Sequence, residues 1–311
     1  MPVSLHSHSG QYCKHAKGTL RDVVLQAIEL GFTAYGLSEH MPRTRQQDMY
    51  PEELELNMEP KDTSNQFSAF LQEARSLQLE FKDKIHLLVG METELIHSST
   101  LFEATSLVSN NNLDYLVGSV HHVNEIPIDF DLPTFTRAES FAFSKAGNPS
   151  DVSATECIFR DYFDAQYELL QNLKPQVVGH FDLIGMYRPD HVLSPVLWEK
   201  IKRNVEVIVQ YAGIVEINSR AWKKGLEFAY PRKSIIEYMK SRGVKFCLSD
   251  DSHGPSDVGM HYSRLLEYIK EVGIDTIYYP ASLSVEKEGS SRVCVIENVS
   301  ALPFWQRFVQ N

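Results

Sequence analysis

Positive charge is in short supply in this chain. Its 30 Lys and Arg stand against 41 Asp and Glu, a formal net charge of -11. That balance argues against a nucleic-acid binder that works through a basic surface. It leaves room for a small anionic substrate, because bound cations can supply local positive charge. Cysteine is also scarce. Cys13, Cys157, Cys247 and Cys294 are widely spaced and form no CxxC, which fits free thiols in a reducing compartment. Cys13 lies between His8 and His15, so it is kept as a candidate ligand, a thiolate being well suited to zinc. No apolar run approaches the length of a membrane span. No leader-like stretch precedes the first motif, so the expected setting is the cytoplasm. Both G-x-S-x-G and the P-loop are missing, and with them the best-known serine-nucleophile and nucleotide-cradle signatures.

Histidine is what the chain has in quantity, and the positions matter more than the number. Of twelve histidines, seven stand where short apolar runs end or just beyond. Val3-Ser4-Leu5 delivers His6 and His8, with His15 shortly after. Thr33 to Leu37 leads to His40, and Leu87 to Met91 ends at Glu92. Tyr115 to Val120 ends at His121, and Gln176 to Gly179 delivers His180. Val244 to Leu248 precedes Asp251 and His253. Ile214 to Ile217 is a further run, followed by Asn218. Imidazole is the commonest metal ligand, and a carboxylate can bridge two cations. Any one of these histidines alone would read as an ordinary hydrogen-bonded residue. Together they read as a multinuclear metal site. His86, His97, His122, His191 and His261 show no such pattern.

Helical periodicity alternates with these runs. Thr19 with Asp22 three residues later resembles a capping box, and Leu20, Val23, Val24, Ala27 and Ile28 form one stripe that Gly31 ends. Further helices are expected over 65–82, 155–173, 197–211 and 234–242. Strand–helix–strand alternation favours a parallel sheet. Seven strands with ligand types at their C-terminal ends favour a closed barrel, where those ends converge on one face. No Pro/Gly/Ser-rich linker divides the chain, so residues 1–311 read as one domain. Two polar, proline-containing stretches, 41–62 and 124–154, are expected to be long loops over the active face.

Six motifs in order, among them His6-Ser7-His8-Ser9-Gly10-Gln11-Tyr12-Cys13-Lys14-His15-Ala16, Gly36-Leu37-Ser38-Glu39-His40-Met41-Pro42, Gly118-Ser119-Val120-His121-His122-Val123 and Leu248-Ser249-Asp250-Asp251-Ser252-His253, resemble the PHP superfamily, specifically its histidinol-phosphate phosphatases. The resemblance covers most of residues 1–260. It implies a distorted (β/α)7 TIM-like barrel with three divalent cations: zinc, manganese or iron. Carried over, His6, His8, Glu92 and Asp251 would hold one cation. Glu92, His121 and His180 would hold a second, with Glu92 bridging, and His15, His40 and His253 a third. The chain has Asp250-Asp251-Ser252-His253 where the family often has a shorter Asp-x-His. Asp251 suits that spacing, with Asp250 as the alternative. Glu92, Asp251 and His253 would be the catalytic core.

The implied activity is hydrolysis of L-histidinol phosphate in histidine biosynthesis, by attack of metal-bound water on phosphorus. The phosphate also needs a cationic clamp, and arginine offers a fork of donors. Arg160 and Arg220 are the candidates, with Lys223 and Lys224 behind them. Glu94, Asp129 and Asp131 could each bind the substrate amine. The other readings are a phosphoesterase for a nucleotide or other small ester, and a metal-binding barrel without turnover. No nucleic-acid or membrane partner is expected, and the oligomeric state stays open.

Overall fold

The seven apolar runs become seven parallel strands. They are β1 (Val3–Ser4), β2 (Ala34–Leu37), β3 (His86–Glu92), β4 (Tyr115–Gly118), β5 (Val177–Val178), β6 (Ile214–Asn218) and β7 (Lys245–Ser249), and each pairs with its successor in sequence. The structure is a computed structural model that describes residues 2–281 and 293–309. The ring closes where Leu5 N donates to Leu248 O at 3.3 Å. Just past the strand ends, Ser252–His253 pairs in parallel with Ser7–His8. This is the distorted seven-stranded barrel the pattern led us to expect.

Strand alternation sorts side chains between two environments. On β3, Leu87, Val89 and Met91 join the large core between the barrel and its outer helices. Leu88 instead joins Leu5, Tyr115, Val117, Val177, Ile214 and Cys247 in a small apolar cluster inside the barrel. Tyr115 is the largest buried side chain of that cluster, and its hydroxyl donates to Leu5 O at 2.8 Å, linking β4 to the end of β1. The ring needs two glycines around it. A Cβ at Gly36 would stand 2.1 Å from the Tyr115 hydroxyl, and one at Gly90 2.5 Å from its ring. Below this layer, Tyr278, Tyr279 and Val293 of an antiparallel hairpin, Thr276–Pro280 with Val293–Glu297, pack against the cluster.

The helices follow the expected stripes. Thr19 caps Leu20–Glu29: its side chain accepts from Asp22 N while the Asp22 carboxylate accepts from Thr19 N. Pro60–Glu80, Ala154–Leu173, Pro195–Tyr211 and Lys233–Ser241 begin one to five residues earlier than their stripes suggested. The two long loops need correction. The 41–62 stretch contains a 3-10 turn (Gln46–Asp48) and a short helix (Pro51–Glu55). The 124–154 stretch contains the helix Leu132–Lys145. Pro51, Pro60 and Pro133 looked like breakers but sit in first helical turns, where no amide hydrogen is needed. The helices Ser98–Asn111 and Tyr262–Glu271, and the hairpin, were not anticipated. Among the described residues no helix is long and apolar enough to cross a membrane.

Candidate metal centre

The alternation that places Leu88 and Gly90 inside the barrel places Glu92 above them, at the C-terminal mouth. Its carboxylate is 1% exposed and faces five imidazoles. Oε1 lies 3.0 Å from His6 Nε2, 3.3 Å from His121 Nε2 and 3.1 Å from His180 Nε2. Oε2 lies 3.3 Å from His8 Nε2 and 3.0 Å from His40 Nδ1. Asp251 Oδ1 stands 3.8 Å from His6 Nε2 and 3.7 Å from His8 Nε2. On the other side, donor atoms of His15, His40, His253 and Cys13 all lie within 4.8 Å of one another. All nine residues singled out as ligands are therefore brought together.

These residues fit divalent cations. His6 Nε2, His8 Nε2 and His40 Nε2 are buried and have no hydrogen-bond partner, an arrangement that is costly unless the lone pairs have something to bind. Bonds of about 2.0–2.2 Å to one ion place neighbouring donors roughly 3–3.5 Å apart, close to the separations around Glu92. Burial opposes ionisation of Glu92, but His6, His121 and His40 hold it well below the usual carboxylate range. Burial likewise opposes ionisation of Asp251, and His6 and Arg220 bring it down to about 2. Burial pushes the Cys13 thiol up, yet His15 and His40 outweigh that and bring it to about 6.

Most of the imidazoles also have a partner behind them. Glu216 Oε2 lies 3.1 Å from His6 Nδ1 and Glu94 Oε2 2.9 Å from His121 Nδ1, while Glu39 Oε2 stands 3.4 Å from His8 Nδ1 without a hydrogen bond. Glu52 Oε1 lies 2.7 Å from His15 Nδ1, and the Asp251 carbonyl 3.0 Å from His253 Nδ1. Such partners fix ring orientation and tautomer. Glu39, Glu52 and Glu216 were missed. Glu216 left a signal, a carboxylate at an inward position of an apolar strand. Glu39 left one too, beside His40. Glu52 comes from the 41–62 segment and left none. That segment is held by the buried Arg43–Glu53 ion pair and by Tyr50, whose hydroxyl donates to Glu94 Oε1 at 2.5 Å.

The two adjacent aspartates separate cleanly. Asp250 points away from the histidines and accepts from Ser4 Oγ (2.8 Å), the Tyr35 hydroxyl (3.1 Å), Gly259 N (2.8 Å) and Ser252 N (3.2 Å). Burial pushes its carboxyl up to about 7. Asp251, at φ 46, takes a left-handed backbone that turns its side chain toward His6 and His8. Asn218 Nδ2 steadies its Oδ2 at 3.2 Å.

A cavity of about 560 Å³ opens over these groups. Arg220 and Lys224 line it, as do Asp129, Phe130, Arg137, Leu183, Met186 and Tyr230. The Arg220 guanidinium donates to the Asp251 carbonyl at 2.9 Å and to Asp257 Oδ2 at 3.3 Å. Arg160 is placed differently. It does not line the cavity and donates instead to Glu156 Oε1, one turn earlier on the same helix, at 2.8 Å. Lys223 is bound to Asp257 at 2.6 Å. Of the three carboxylates considered for the amine, Glu94 is taken up by His121 and Tyr50, and Asp131 caps its helix by accepting from Thr134 N at 2.7 Å. Asp129 alone lines the cavity. Arg137 escaped notice because its helix was read as loop.

The model of the PHP domain matches residues 4–220. The chain belongs to the PHP domain family. It is similar to a probable histidinol-phosphatase of Schizosaccharomyces pombe, 42% identical across 99% of this chain and 97% of that one. The histidinol-phosphatase of Saccharomyces cerevisiae is 34% identical across 86% and 88%. Among solved structures, the histidinol phosphate phosphatase of Lactococcus lactis was determined with zinc, L-histidinol and phosphate. It superposes with a TM-score of 0.63 at 21% identity, covering 88% of this PHP chain and 94% of its own. At that identity the likeness speaks for the barrel alone.

Proposed function

We propose that this PHP protein is a histidinol-phosphatase, hydrolysing L-histidinol phosphate to L-histidinol and phosphate in histidine biosynthesis. The observation that carries the reading is the convergence of five imidazoles on the Glu92 carboxylate at the base of an open cavity, in a chain 42% identical over its length to a probable histidinol-phosphatase. Three divalent cations, zinc, manganese or iron, suit the donors. His6, His8, Glu92 and Asp251 would hold the first, Glu92, His121 and His180 the second, and His15, His40 and His253 the third. Bound there, they would acidify water and offset charge on the phosphoryl group. Arg220 would hold the phosphate; its guanidinium donates to the Asp251 carbonyl and to Asp257 at the cavity wall. Asp129 would take the substrate amine, with Phe130, Leu183 and Met186 lining the apolar part of the same cavity. The volume suits a small ester rather than a polymer. Four unpaired thiols agree with a cytoplasmic setting. The test is a panel of phosphate esters assayed on metal-replete protein. Histidinol phosphate should give the highest kcat/KM, and a nucleotide turned over faster would sink the assignment.

A further inference from the structure

The third group of histidines differs from the other two in one atom type. Cys13 Sγ lies 3.2 Å from His15 Nε2, and sulfur and imidazole donors from Cys13, His15, His40 and His253 form one compact set. At Nδ1 each of these imidazoles faces an oxygen, with a hydrogen bond at His15 and His253 but not at His40. His15 faces Glu52 at 2.7 Å, His40 faces Glu94 at 2.7 Å, and His253 faces the Asp251 carbonyl at 3.0 Å. His15 Nε2 turns to the Cys13 sulfur, and His40 Nε2 is buried without a hydrogen-bond partner, as a donor to a common ion would be. The turn that carries the thiol is held by backbone hydrogen bonds: Cys13 N donates to Ser9 O at 2.8 Å and Ala16 N to Cys13 O at 3.1 Å. Cys13 is 5% exposed and bonded to no other cysteine. The three histidines line the large cavity and Cys13 does not, so its sulfur stands behind them, on the protein side.

We propose that Cys13 is a thiolate ligand of the third cation, giving that site a His3Cys donor set while the other two are built from nitrogen and oxygen alone. On binding, the thiol loses its proton to solvent and forms a sulfur–metal bond. Four protein donors of this kind suit tetrahedral zinc, and a thiolate discriminates against manganese, which prefers oxygen. The third position is then the one that keeps zinc when the other two exchange. The inference rests on the metal reading of the barrel mouth and is independent of the substrate.

Cobalt reports the difference directly. Protein stripped with a chelator and reloaded with Co2+ should show an intense near-ultraviolet sulfur-to-cobalt charge-transfer band. Cys13→Ser should lose the band while keeping the visible cobalt bands of the remaining ions. A loaded wild-type protein without the band, or a band that survives in Cys13→Ser, overturns the assignment. If the variant does not fold, zinc-edge X-ray absorption of the unmutated protein decides: a sulfur shell at about 2.3 Å supports the thiolate. Nitrogen and oxygen neighbours alone exclude it. Failure to bind any cation would instead sink the metal reading itself, so the two failures are distinguishable.

Discussion

The two ends of the barrel are built from the same seven strands by the same alternation, yet they hold opposite kinds of matter. At the N-terminal end the inward positions are Leu88, Tyr115, Val177, Ile214 and Cys247, packed without a charge. One or two inward steps further along, the same strands present Glu92, Glu216 and Asn218, with Asp251 and His180 just beyond the strand ends. The floor is paid for by burial of apolar surface; the mouth gathers charges that only cations and carboxylate–imidazole pairs can reconcile. Changes at the mouth should therefore cost activity at nearly constant stability, and changes at the floor the reverse.

The sharpest break should come from Glu92→Gln. The shape is kept and the shared charge is lost, so at least one cation and nearly all turnover should go, about a thousandfold or roughly 4 kcal/mol of barrier, with the melting temperature little lowered. Full metal occupancy with normal turnover would show that Glu92 does not bridge. Exhaustive chelation should abolish hydrolysis and a divalent cation restore it; activity that persists in demonstrably metal-free protein would point to a covalent route.

Asp251→Asn and Asp250→Asn test the comparison at neighbouring positions. The first should lower kcat/KM about 100-fold through weakened metal binding. The second should leave activity per folded molecule near normal and cost about 1–3 kcal/mol of stability, because an amide hydrogen would face the Ser4, Tyr35 and Gly259 donors. Activity assays with thermal melts on both variants would show a reversed ranking at once. At the floor, Leu88→Ala should cost about 2–5 kcal/mol and leave metal content unchanged. The mildest effect is expected from Arg220→Ala: KM for histidinol phosphate up about tenfold, kcat somewhat lower and metals retained. Arg160→Ala should match wild type in steady-state kinetics, and an equal loss in both would return Arg160 to the phosphate.

How much of this was legible follows from the same contrast. Strand ends announced themselves because an apolar run stopping at His or Glu is visible in one dimension, and so His6, His40, Glu92, His121 and His180 could be named. Glu52 and Arg137 could not, since both come from segments whose helices carry a proline in the first turn. Asp250 and Asp251 are indistinguishable by type, and the left-handed φ that separates them belongs to the folded backbone. Arg160 could not be judged in sequence, because an arginine on a helix near the site has the same signature whether it meets phosphate or, as in this structure, a glutamate one turn away.

Tyr115 carries a consequence for how this barrel can change over time. Its ring occupies the space that side chains at positions 36 and 90 would need, and its hydroxyl grips the carbonyl next to His6. Three positions far apart in sequence therefore vary as one. A relative with alanine or anything larger at position 36 or 90 must carry a smaller residue at 115, and must find another donor for the Leu5 carbonyl. Additions at 36 or 90 are closed while Tyr115 stands there, so drift in this part of the interior has to begin at 115, through a cavity and the loss of the donor to the Leu5 carbonyl.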